Sequence, residues 1–252
     1  MRLFALTAFI AAFLLAHREV QGHGAVLVKD AANNVPVAES LADLPLVEVP
    51  AKASPGNVLA LMISGDGGWA SLDQALSAEL SNRGIPVVGL NSLKYFWHAR
   101  SPAQTATDVS RLIEHYVSRW HATRVLLIGY SFGADVMPSV FNRLPPESRA
   151  RVASINLLGL AQGATFEITA GEWWPGSRAK ETPVLPEVER FGSMRALCIE
   201  GAGEKHSICP ELKQRGIEVR QIGEGHHFSG LAKDIADAIL AVAKSPGPAL
   251  SS

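Results

Sequence analysis

The chain alternates short apolar runs with longer stretches whose apolar residues recur every three or four positions. Residues 57–63, 85–90, 124–128, 151–158, 195–199 and 217–222 read as strands, most of them apolar on both faces. Leu46-Val47-Glu48-Val49 reads as an edge strand. Between them lie helical patterns. One starts near Ser71, where the spacing to Gln74 fits a capping box; Leu72, Ala75, Leu76 and Leu80 face inward and Gly84 ends it. A second opens at Ser101-Pro102, an N-cap followed by proline, and lines up Val109, Leu112, Ile113, Tyr116, Val117 and Trp120. A third carries Ala134, Met137, Val140, Phe141 and Leu144, with Pro138 expected to kink it. The last holds Leu231, Ile235, Ile239, Leu240 and Val242. Strands alternating with helices predict an α/β fold, a mostly parallel sheet with helices on both faces. No linker divides the chain, so residues 23–252 are expected to form one domain, with a core at about 45–244. The irregular segment 161–190 reads as a small lid or insertion.

The first residues follow another pattern. Arg2 precedes an uncharged apolar stretch, 3–16, that His17-Arg18-Glu19 interrupts well short of the roughly 20 residues a spanning helix needs. Residues 1–22 therefore read as a cleaved signal peptide and the protein as exported. The full chain has a formal net charge of −1, and no basic field argues for direct nucleic-acid binding. Two cysteines, Cys198 and Cys209, are a natural disulfide in an oxidising compartment and would close a short loop.

Chemistry concentrates at Gly129-Tyr130-Ser131-Phe132-Gly133, directly after the run Val125-Leu126-Leu127-Ile128. A G-x-S-x-G pentapeptide between strand and helix places the serine on a sharp turn, with Oγ projecting above the sheet edge. Such a serine needs a base, and the base needs an acid to hold it. In the order Ser, acid, His, the histidine belongs after the last strand, where 223–230 read Gly-Glu-Gly-His-His-Phe-Ser-Gly. His226 is favoured over His227 because the chain must turn after Gly225. The acid is expected after the strand at 195–199: Glu204, with Glu200 the alternative. Phe132, following the serine, supplies one oxyanion N–H; Asp66 or Gly67 of the turn Ser64-Gly65-Asp66-Gly67-Gly68 supplies the other. That turn lacks the residues of a nucleotide motif, the histidine loop lacks the ligand spacing of a metal site, and no cofactor or metal is called for. Tyr95, Phe96, Trp97, Trp173 and Trp174 are candidates to line a substrate pocket or rest on a lipid surface.

Ser-Gly-Asp-Gly-Gly-Trp at 64–69, Tyr-Phe-Trp at 95–97, Gly-Tyr-Ser-Phe-Gly-Ala-Asp at 129–135 and His-His-Phe at 226–228 together resemble the VirJ/AcvB family of bacterial virulence proteins. The resemblance spans about 45–240. It implies an α/β-hydrolase fold, a periplasmic location and a role tied to type IV secretion, with secretion components or substrates as partners. For one branch it implies hydrolysis of the aminoacyl ester on phosphatidylglycerol, an aminoacylated phospholipid at the membrane surface. By position it makes Ser131 the nucleophile, His226 the base and Cys198–Cys209 a bridge. One departure stands out. The family pattern has an acidic residue before the second cysteine, where this chain has His206; if that residue is the triad acid in relatives, Glu204 substitutes for it here or activity is weakened. The rival expectations are a non-catalytic factor that escorts secretion substrates and a general carboxylesterase or thioesterase.

Overall fold

The computed structural model describes residues 41–169 and 181–244; the expected signal peptide, Trp173 and Trp174 lie outside them. In chain order the elements are β1 (Leu46–Val49), β2 (Val58–Ile63), α1 (Ser71–Asn82), β3 (Val87–Leu90), α2 (Ser92–Tyr95) and α3 (Pro102–Arg119). Then come β4 (Arg124–Tyr130), α4 (Phe132–Asn142), α5 (Pro146–Arg151), β5 (Val152–Leu158), β6 (Gly163–Ala164) and β7 (Thr182–Pro183). The last are α6 (Leu185–Glu189), β8 (Ala196–Ala202), α7 (Cys209–Lys213), β9 (Glu218–Glu224) and α8 (Ala232–Lys244).

Seven strands form one sheet in the order β1-β3-β2-β4-β5-β8-β9. Only the edge strand β1 runs antiparallel, opposite β3; the other pairs are parallel. Side chains alternate across the pleat and feed two cores. Leu59, Leu61, Ile63, Val125 and Leu127 face the layer that holds α3 and α4. Ala60, Met62, Leu126, Ile128 and Leu197 face the layer of α1 and α8. The doubly apolar runs of the sequence are thus central strands covered on both sides, the mostly parallel α/β sheet expected.

The helix signals resolve with two corrections. Ser101 caps α3 as expected: its Oγ accepts the Gln104 N–H (3.1 Å) and Gln104 Oε1 accepts the Ser101 N–H (2.9 Å). At α1 the N-cap is Ala70, not Ser71, and the reciprocal acceptor is Asp73, whose Oδ2 takes the Ala70 N–H at 3.2 Å. Ala75 is exposed, whereas Asp73 is buried on the inner face beside Leu72, Leu76 and Leu80. Pro138 sits inside α4, which runs through it from Phe132 to Asn142. The described part of the 161–190 segment holds the two-stranded β6–β7 ribbon and α6.

Candidate active site

Ser131 sits between β4 and α4 with φ 51° and ψ −119°, a conformation that side chains rarely adopt. Its N–H donates to Leu158 O at 2.8 Å, and its carbonyl accepts the N–H groups of Ala134 (2.8 Å) and Asp135 (3.0 Å). The flanking glycines are required by contact. A Cβ on Gly129 would come within 2.4 Å of Gly133 O, and one on Gly133 within 2.1 Å of Ile63 O. Strand and helix can approach this closely only without side chains there, and that approach holds the serine in its turn.

Three side chains meet at the carboxyl end of the sheet. His226 Nε2 lies 2.7 Å from Ser131 Oγ, and its Nδ1 lies 2.5 Å from Glu204 Oε1. The second carboxylate oxygen of Glu204 accepts the Gly201 N–H at 3.1 Å, while the Glu204 N–H donates to Gly201 O at 3.2 Å. Glu204 is thus fixed by its own tight turn at the end of β8. The loop after β9 bends at Gly225 and at Phe228, a buried residue with φ 51°. That bend directs His226 inward and leaves His227 exposed. Tyr130 stacks on the imidazole with ring centroids 5.7 Å apart. Of the alternatives left open in the sequence, His226 and Glu204 are the ones in contact. Glu200 is buried at the end of β8, where it pairs in register with Gln221.

The Cys198–Cys209 disulfide joins β8 to α7 with both residues buried and Cα atoms 5.6 Å apart. Glu204 and His206 lie in the loop it closes. His206 lines a cleft of about 360 Å³ with Ala161, Gln162, Gly163 and Glu181.

Phe132 heads α4, so its N–H has no acceptor one turn back. A Cβ on Gly65 would lie 3.7 Å from Ser131 Cβ, which puts the turn after β2 beside the serine. Within that turn the Gly67 N–H donates to Asp66 Oδ1 at 2.9 Å, so Gly67 has an acceptor of its own.

The aromatic expectation needs correction. Tyr95 and Phe96 are buried, 2% and 0% exposed, and belong to the core. The Tyr95 hydroxyl donates to Asp108, and Phe96 packs on Phe132 with centroids 4.9 Å apart. The cause is α2: this single turn after β3 tucks both rings against α3 and α4. Trp97, just past it, is exposed.

Two residues near the site carried no role in the sequence reading. Gly159, at φ 67°, lies under the imidazole; a Cβ there would be 2.7 Å from His226 Cε1. Asp135, in the first turn of α4, accepts the Ala161 N–H at 2.8 Å. Burial, against the pull of that N–H, and the charges of Glu204, Glu181 and Asp66 push its carboxyl up to about 8. Asp73 is raised to about 6, by burial, against the N–H groups of Ala70, Asp73 itself and Gly65.

The profile of the family described as bacterial virulence protein (VirJ) matches residues 57–246. Comparison with curated proteins returns no match. Among solved structures the chain is similar to Est1E from Butyrivibrio proteoclasticus, with a TM-score of 0.56 and 14% identity over 79% of this chain and 93% of that one. It is similar to a putative dienelactone hydrolase from Klebsiella pneumoniae subsp. pneumoniae, TM-score 0.56 and 13% identity, over 80% and 93% of the two chains. An alpha-beta serine hydrolase homologue from Coxiella burnetii gives a TM-score of 0.51 and 14% identity over 78% and 89%. These likenesses are of fold, and the fold is that of the α/β-hydrolases. Matched over most of its length, the chain belongs to the VirJ family of bacterial virulence proteins.

Proposed function

We propose that the protein is an exported serine hydrolase that cleaves the aminoacyl ester of aminoacyl-phosphatidylglycerol at the outer face of the inner membrane. The observation that carries the hydrolase reading is the continuous contact from Ser131 Oγ through His226 to Glu204, at 2.7 and 2.5 Å. Ser131 Oγ attacks the ester carbonyl while His226 Nε2 takes its proton. Glu204 holds the imidazole through Nδ1–H and stabilises the imidazolium that forms. The N–H groups of Phe132 and Asp66 receive the oxyanion; Asp66 is preferred to Gly67, whose N–H is engaged. Collapse breaks the ester bond, and His226 returns the proton to the departing lipid hydroxyl. A water then attacks the aminoacyl-serine by the same route, releasing the free amino acid and restoring Ser131.

The substrate, the periplasmic location and the link to type IV secretion are supported by the resemblance at 64–69, 95–97, 129–135 and 226–228. The disulfide adds support for an oxidising compartment. The escort alternative would gain if the acid failed to reach the histidine; Glu204 and His226 are in contact. Lipid analysis of cells with and without the protein tests the substrate. Aminoacyl-phosphatidylglycerol should accumulate in its absence and fall when the wild type, but not Ser131→Ala, is restored. Unchanged lipid in all three strains would overturn the substrate assignment.

A further inference from the structure

Asp135 is a carboxyl beside the reacting residues that the proposed chemistry does not use. Its Oδ1 accepts the Ala161 N–H at 2.8 Å and its own N–H donates to Ser131 O at 3.0 Å. One residue thereby ties the turn that carries Ser131 to the strand-end segment after β5. That segment has two further contacts with the site. Gly159, two residues before Ala161, backs the His226 ring, and 161–163 form one wall of the cleft. On the far side Leu160 O accepts the Ile208 N–H at 3.2 Å, from the disulfide-closed loop that also carries Glu204. The nucleophile, the base and the acid therefore all border a single short segment, anchored by Asp135.

We infer that Asp135 is a positioning residue, whose hydrogen bond to Ala161 fixes residues 159–163 as the backing of the His226 ring and the wall of the adjoining cleft. The inference deepens the hydrolase reading and uses the same site. It also assigns a charge state. The ionisable groups acting on Asp135 are Glu204 from the loop after β8, Glu181 from the segment before β7 and Asp66 from the turn after β2, all acidic. Burial and these neighbours favour the neutral acid, which still accepts the Ala161 N–H through its carbonyl oxygen. Glu204 is held by the Gly201 N–H and the imidazole, whereas Asp135 is buried with the Ala161 N–H as its partner. The sign follows. A carboxyl raised in the native state contributes stability fully below its ordinary range, and that contribution is lost as pH rises through about 8.

The test uses the full mature protein, with Asp135→Ala and Asp135→Asn, read by amide hydrogen exchange and by steady-state kinetics on an aminoacyl ester. Asn keeps an acceptor for Ala161 without a charge to bury; Ala removes the acceptor. Exchange at 160–163 should quicken in Asp135→Ala and stay as wild type in Asp135→Asn. Turnover should fall about tenfold or more in Asp135→Ala, chiefly in kcat, because a displaced imidazole misaligns the reacting atoms. Asp135→Asn should keep near-wild-type kcat, because its amide oxygen still accepts the Ala161 N–H. Should Asp135→Ala fail to fold, the exchange rates and kcat of Asp135→Asn decide. Asp135→Asn with kcat lowered about tenfold or more, or with quickened exchange at 160–163, overturns the inference. Unchanged exchange in folded Asp135→Ala does so too. A wild type without turnover but with the exchange differences would instead count against the hydrolase reading alone.

Discussion

At the scale of single residues, the site depends on which of two neighbours faces inward. His226 and His227 are chemically equal, and the backbone separates them: positive φ at Gly225 and Phe228 bends the loop so that one ring reaches Ser131 and the other faces solvent. His226→Ala should therefore lower kcat by about 10⁶-fold, leaving the contributions of the oxyanion donors and of binding. His227→Ala should retain most activity. Steady-state kinetics on both variants checks this, and the reverse ranking would move the base to His227. The residues legible in the sequence were those set in a local pattern. Gly129, Ser131 and Gly133 follow an apolar run, and His226 follows the last strand. Asp135 and Gly159 were not readable as parts of the site, because their partners, Ala161 and His226, are 26 and 67 positions away. Nothing in the local sequence announces such a close approach.

Among the elements, the sheet and the long helices were legible because their periods differ and persist, whereas single-turn elements carry too few residues for a period. Missing α2 placed Tyr95 and Phe96 in a pocket when they pack in the core. At α1 two i, i+3 pairs overlap, Ser71 with Gln74 and Ala70 with Asp73, and the chain uses the second. The cysteine pair was legible from count and spacing, and its consequence belongs to this scale as well. The bridge holds α7 against β8 and encloses the turn of Glu204. A loop of this size contributes about 3 kcal/mol in the chain-entropy account. Cys198→Ser/Cys209→Ser is expected to melt at lower temperature and, while still folded, to turn over more slowly, because Glu204 then holds the imidazole less firmly. A calorimetric scan paired with kcat below the transition reads both effects. Unchanged kcat would show that the turn made by Glu204 and Gly201 suffices without the bridge.

For the whole molecule, the parallel sheet gathers distant parts of the chain at one edge. Ser131 after β4, Glu204 at the end of β8 and His226 after β9 meet there because each of these strands delivers its carboxyl end to the same side. The strands that deliver them are packed on both faces by the two cores. The central claim is that Ser131 is the nucleophile, and reaction of the mature protein with a fluorophosphonate tests it most directly, with the modified residue located by peptide mass spectrometry. The account expects a single adduct on Ser131, abolished in Ser131→Ala and strongly slowed in His226→Ala. An adduct on another serine, or none on folded protein that hydrolyses an ester, would contradict it.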